Sequence, residues 1–201
     1  MSPTVDYFLA PQSPWTYLGH ERFVRIARAA GAAVRVRPFD LGGRVFPVSG
    51  GLPLGQRAPQ RQAYRLVELQ RFSQFLRLPL NLHPRFFPVA GDDAGRLIIA
   101  VDRHDGSEAA LALTGAVLAA VWAQERNIAD RQVLAELLTD CGLASQRLEQ
   151  SGEPGIQQVY DGNAQAAIDA GVFGAPSYVV DGEIFWGQDR LDFLERRLQS
   201  F

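Results

Sequence analysis

The chain has no lysine. All 20 of its basic residues are arginines, so a Schiff-base mechanism, which needs a side-chain amine, is excluded. It has a single cysteine, Cys141 in "LTDCGL". That rules out an intrachain disulfide, a cysteine-based metal cluster, and a thiol-disulfide exchange cycle in which a second cysteine resolves a mixed disulfide. A lone thiol near the end of a helix is expected to behave as a small buried hydrophobe. Long apolar runs are missing too: "AALALTGAVLAAVWA" at 109–123 is Ala-rich, is followed by Gln124, Glu125 and Arg126, and suits a buried core helix better than a membrane span. Nor is there a block of one charge. The 20 arginines and 22 acids are dispersed, giving a net charge of −2 and no basic stripe to follow a phosphate backbone, so no nucleic-acid partner is expected. The start, "MSPTVDYF", lacks the basic flank and apolar stretch of a signal peptide, and a cytoplasmic protein is expected.

What is present is 201 residues, 47% apolar and 21% charged, enough for one well-buried domain with a sizeable insertion. The first forty residues form a strand-helix-strand pattern. "TVDYFL" is β-branched and aromatic, apolar residues from Pro14 to Ala30 recur at helical spacing until Gly31, and "AVRVRPF" alternates Val34 and Val36 with outward Arg35 and Arg37. Residues 40–58 are rich in Gly and Pro and read as an irregular surface loop. A helix from Pro59 to Leu78 follows, stopped by Pro79. The stretch 92–171 is mostly helical, with helices expected through "EAALALTGAVLAAVWAQER", from Asp130 to Cys141, near 144–151, and before Gly171. Strands return with "SYVVD" and "EIFW" around an Asp181-Gly182 turn. An amphipathic helix, "DRLDFLERRL", closes the chain, with Asp189 as its expected cap and Asp192 three residues on.

A β-α-β half, a long helical segment and a β-β-α half make an α/β protein with a mixed sheet, the thioredoxin-like plan with an all-helical domain spliced into its middle. The expected division is residues 1–40 and 172–201 for the discontinuous thioredoxin-like domain and 41–171 for the insertion.

On that plan, "SPWT" at 13–16 stands where a redox protein would carry Cys-Pro-x-Cys, with Ser13 and Thr16 in place of both thiols. Taken alone, Ser13 is a helix N-cap and Pro14 a favourable first helical residue. Its position at the carboxyl edge of the first strand adds a second meaning, because a helix N-terminus there offers free N–H groups and a positive dipole end to an anion. Ala175-Pro176 immediately precedes the third strand, where a proline is tolerated as simple punctuation. In a thioredoxin-like sheet that proline is expected to be cis and to face the first helix, leaving the backbone of Ala175 free to pair with a peptide.

"SPWTYLG" near residue 13, "VFGAPSYVVDGEIFWGQDRL" at 172–191, and the helical segment between them resemble the 2-hydroxychromene-2-carboxylate isomerases and kappa-class glutathione transferases, of the DsbA-like branch of the thioredoxin fold. The resemblance implies a homodimeric enzyme that takes glutathione as cofactor and uses its thiolate as a transient nucleophile on a small aromatic carboxylate, in aromatic catabolism. It implies that Ser13, in the first turn with Pro14 and Trp15, hydrogen-bonds the glutathione sulfur. It also implies that Ala175 and Pro176 hold the cysteinyl backbone, that Asp189 and Arg190 bind the γ-glutamyl end, and that Arg61 meets the glycyl carboxylate. No metal is implied. The loop that supplies an Asn in kappa-class relatives reads "SGGLPLG" here, without one. Conjugation or peroxide reduction by the same glutathione site, and a non-catalytic peptide-binding module, are the alternatives.

Overall fold

The computed structural model describes residues 2–200; Met1 and Phe201, the outer ends of the two expected thioredoxin-like segments, lie outside it. Strand β1 (Thr4–Leu9) runs into helix α1 (Pro14–Ala29), which crosses over to β2 (Ala33–Pro38). The two strands pair in parallel from Thr4↔Ala33 to Leu9↔Pro38, a connection that requires such a crossover. After the helical segment the chain re-enters the sheet on the other side of β1. Strand β3 (Ser177–Val180) pairs antiparallel with β1, Tyr7 opposite Tyr178, and β4 (Glu183–Trp186) pairs antiparallel with β3. The order is β2-β1-β3-β4, the mixed sheet expected of a thioredoxin-like protein. Asp181 and Gly182 both take positive φ, 49° and 82°, as a tight two-residue hairpin requires.

Between the halves lie α2 (Phe46–Ser49), α3 (Pro59–Leu76), α4 (Asp92–Asp105), α5 (Ser107–Trp122), α6 (Arg131–Asp140), α7 (Arg147–Gln150) and α8 (Pro154–Asp169); α9 (Leu191–Gln199) ends the chain. The stretch 40–58, expected to be irregular, is a succession of short turns: a π-helical turn at Leu41–Val45, α2, and a 3₁₀ turn at Leu54–Gln56. Local polar bonding nucleates it, since Asp40 Oδ1 accepts from the Gly43 N–H at 2.7 Å. Helix α3 ends two residues before the expected Leu78. Arg77 adopts a left-handed φ of 55° and the Leu78 N–H returns to Ser73 O at 3.0 Å, closing the helix before Pro79 can stop it. Gly106, with φ 88°, separates α4 from α5, a break that composition alone did not signal. Arg35 and Arg37, expected to point outward, both pair with Asp6 across the parallel strands, and Arg37 continues to Asn163 on α8.

The apolar core is continuous between sheet and helices. Tyr7, Phe23 and Tyr178 form a ring cluster with centroids 4.5 to 5.3 Å apart, and Leu18, Leu97, Leu113, Leu118 and Trp122 surround it. Each such side chain contributes about 1.5–3 kcal/mol by leaving water, and the ring pairs add about 0.5–1.5 kcal/mol each. Among the described residues no helix is long and apolar enough to cross a membrane.

Candidate active site

Ser13 sits at the carboxyl end of β1 as the N-cap of α1. Its N–H donates to Ala10 O at 2.9 Å, and its Oγ accepts from the Thr16 N–H at 3.2 Å. The same hydroxyl lies 3.5 Å from Ala175 O, at the outer limit of a hydrogen bond. A hydroxyl proton this loosely held is available to a better acceptor. Thr16, where the second thiol of a redox pair would be, is fully buried and its Oγ1 has no partner among the described residues.

The Ala175–Pro176 peptide bond is cis. Pro176 O accepts from the Gly187 N–H at 2.9 Å, and Ser177 Oγ donates to Gly174 O at 2.8 Å, so both flanks of the turn are held. The Ala175 N–H has no hydrogen-bond partner among the described residues. An unmet donor beside a cis bond whose carbonyl faces the α1 N-cap is a place for an extended peptide backbone.

Asp189 and Arg190 lie on a 3₁₀ turn, Gln188–Arg190, are exposed, and pair with each other. Asp189 does not cap the last helix as expected. That helix begins at Leu191 and has no side-chain cap, because the Asp189 carboxylate turns to Arg190 and lies over Gly187. The turn is anchored by Gln188, which is buried against Gly19 of α1; a Cβ on Gly19 would stand 2.8 Å from Gln188 Cβ. The first turn of α1 with Pro14 and Trp15, the cis proline and the 188–190 turn are thus tied to one another. Arg61 stands apart, exposed on the first turns of α3, with no carboxylate within 4 Å among the described residues. Helix α3 reaches the first turn of α1 elsewhere, through an edge-on contact of Trp15 with Phe72, 6.2 Å between centroids.

Arg65, one turn beyond Arg61, was not singled out by sequence. It is buried, with its guanidinium over the rings of Phe87 and Trp122 at 5.3 and 5.7 Å. Burial first, and then the Arg57 charge, lowers its pKa to about 10. The helical spacing of Arg61 and Arg65 was the available signal, but it cannot tell a solvated arginine from a buried one.

Two groups lie outside the site. His20 is buried on α1 beside a groove of ≈ 500 Å³ against α5, with Nε2 bonded to Leu111 O at 3.0 Å and Nδ1 to the Tyr7 hydroxyl at 3.1 Å. The carbonyl can only accept, so Nε2 carries the proton and Nδ1 accepts from Tyr7. Burial pulls the His20 pKa down to about 4, leaving a neutral structural ring. Cys141, at the C-terminal cap of α6, is partly buried. Burial and the Asp140 carboxylate push its thiol pKa up, the opposite of what a nucleophile needs.

Residues 4–199 match the DSBA-like thioredoxin domain family. The chain is 29% identical over 199 residues to a 2-hydroxychromene-2-carboxylate isomerase of Sphingobium xenophagum, covering 98% of this chain and 99% of that one. It is 30% identical over 194 residues to the enzyme of that name from Pseudomonas putida, covering 95% and 92%. A solved structure of 2-hydroxychromene-2-carboxylate isomerase superposes with a TM-score of 0.78 at 27% identity, over 98% of this chain and 95% of that one. The chain belongs to the DSBA-like thioredoxin domain family and is related to the 2-hydroxychromene-2-carboxylate isomerases within it.

Proposed function

We propose that this member of the DSBA-like thioredoxin domain family is a glutathione-dependent isomerase that acts on 2-hydroxychromene-2-carboxylate or a similar fused-ring aromatic acid. The observation that carries the reading is the Ser13 hydroxyl, capping α1 and facing the carbonyl of a cis Ala175–Pro176 bond, in the position a redox protein would give to a cysteine. Near full-length similarity to proteins of that activity supports it.

The residues fit glutathione on three counts. The Ala175 N–H, unpaired among the described residues, and Ala175 O, the carbonyl of the cis bond itself, are one donor and one acceptor for a peptide backbone. The exposed Asp189 carboxylate suits an α-amino group, and Arg190 beside it suits an α-carboxylate. Arg61, on the first turns of α3 and without a carboxylate partner among the described residues, suits a terminal carboxylate. When bound, glutathione would supply the nucleophilic thiol that this chain lacks at the site.

The chain's own part is electrostatic. Ser13 turns its proton from the distant Ala175 O to a thiolate, and the N-terminal end of α1 adds its positive dipole end, both favouring the charged sulfur. Pro14 fixes the first turn without presenting an N–H of its own. Trp15, half-buried and braced against Phe72, sets apolar surface in the same first turn.

An isomerase returns its thiol. With a small fixed amount of glutathione and excess 2-hydroxychromene-2-carboxylate, many equivalents should convert to the ring-opened trans isomer while free thiol stays constant. Thiol loss in step with product would instead assign a transferase of the kappa type, and no conversion in spite of glutathione binding would remove the substrate assignment.

A further inference from the structure

Arg65 is the one buried arginine among the described residues, at 9% exposure, and no hydrogen bond or ion pair meets its guanidinium there. A guanidinium has five N–H donors and no acceptor; among the described residues no protein group meets those of Arg65, and none of its nitrogens is sealed from solvent, so the N–H edge is open to water or to an anion. The rings of Phe87 and Trp122, 5.3 and 5.7 Å from its central carbon, take up its face but not its N–H edge. Its neighbour in charge is another cation. Arg57 adds a repulsive field, and is held by a 2.8 Å bond from its Nε to Leu52 O, without a carboxylate of its own among the described residues. A partly desolvated cation with a second cation nearby and a donor edge open to solvent is well suited to an incoming anion.

Its place matters as much as its charge. The Trp122 indole N–H donates to Gln12 O at 3.2 Å, and Gln12 directly precedes Ser13. The ring under Arg65 is therefore bonded to the chain that leads into the first turn of α1. Gln12 Oε1 is itself buried without a partner among the described residues. Phe87, half-buried and braced at 4.8 Å by the fully buried Trp122, offers an apolar edge beside the cation, the pairing of surfaces a flat aromatic acid would use.

We propose that Arg65, with Arg57 nearby, is a carboxylate-binding site of the active centre. This deepens the proposed function, on which it rests for the identity of the acids. The carboxylate has two sources, the aromatic second substrate or the glycyl end of glutathione, and both are recognised by the same charge-assisted hydrogen bonds.

Calorimetric titration of the whole protein separates them. The probes are chromone-2-carboxylate, a planar aromatic acid, then glutathione, then glutathione with its glycyl carboxylate amidated. The proteins are wild type, Arg65→Gln, Arg65→Lys and, as a control on an exposed face of α3, Arg71→Gln. Near-ultraviolet circular dichroism checks each fold. Arg65→Gln should bind the acid that uses this site about ten- to a hundredfold more weakly, the value of one or two charge-assisted bonds. Arg65→Lys, which keeps the charge and loses the fork, should fall between, and Arg71→Gln should match wild type.

Weakening of chromone-2-carboxylate alone assigns the second substrate. Weakening of glutathione with no further effect on the amidated form assigns the glycyl end. Unchanged affinity for both acids in folded Arg65→Gln or Arg65→Lys, or no binding of either acid by wild type, overturns the site. Arg65-dependent binding without any turnover of 2-hydroxychromene-2-carboxylate leaves the site standing and removes the isomerase reading.

Discussion

Removing the Ser13 hydroxyl should raise the pKa of bound glutathione without a matching loss of stability, and two substitutions separate the effects. Oγ of Ser13 makes the cap bond to the Thr16 N–H at 3.2 Å and a marginal contact to Ala175 O at 3.5 Å. Loss of the cap costs about 1 kcal/mol when Ser becomes Ala and only a few tenths when it becomes Gly. Loss of a hydrogen bond to a charged sulfur costs about 1.5–3 kcal/mol, and at 1.36 kcal/mol per unit the thiol pKa should rise by about 1–2 units. Ser13→Ala and Ser13→Gly should therefore differ in stability, by urea unfolding, yet show the same upward shift when the thiolate absorbance of the glutathione complex is titrated. Turnover near neutral pH should fall with the thiolate fraction in both. A thiolate titration unchanged in both variants, or one that shifts in the Ala variant and not in the Gly variant, would make Ser13 a helix cap and nothing more.

His20 is held neutral with a pKa of about 4 against an ordinary 6.5. The unfolded chain therefore binds an extra proton between those values, and stability present above pH 6.5 should drain away by about 3 kcal/mol as the pH falls to 4. Unfolding midpoints across that range should show a shallower decline in His20→Gln, which cannot titrate; equal slopes would refute the assignment. Gly19→Ala should destabilise although Ala is the better helix former by about 1 kcal/mol. Its Cβ would lie 2.8 Å from Gln188 Cβ and 3.2 Å from the Gln188 backbone, an overpacking worth about 1–3 kcal/mol, and by moving the 188–190 turn it should also weaken glutathione binding by calorimetry. A higher melting temperature would show that the turn yields freely. Cys141→Ala should keep turnover within a few-fold at a packing cost of about 1 kcal/mol, and loss of activity in a folded variant would mean that the chain supplies its own thiol.

Most of the fold was legible in the sequence because it is written in local rules. Alternation and β-branching mark β1, β2, β3 and β4; Ser13-Pro14 opens α1 and Gly31 closes it; Asp181-Gly182 makes the hairpin that φ values of 49° and 82° require. The order of those elements, with α1 as the only crossover available to β1 and β2, is enough to specify a mixed sheet. The single cysteine likewise spoke against disulfide exchange on the sequence alone. What tertiary structure decided are properties of residues far apart in the chain. Whether Arg65 is a solvated charge or a buried one depends on Phe87 and Trp122, which come to it from distant segments. Whether Asp189 caps a helix or turns to Arg190 depends on how Gln188 packs against Gly19 across the molecule. Propensity and capping act over a few residues and can be read in line. Burial and the company a charge keeps are set by contacts between segments, and only the folded chain has them.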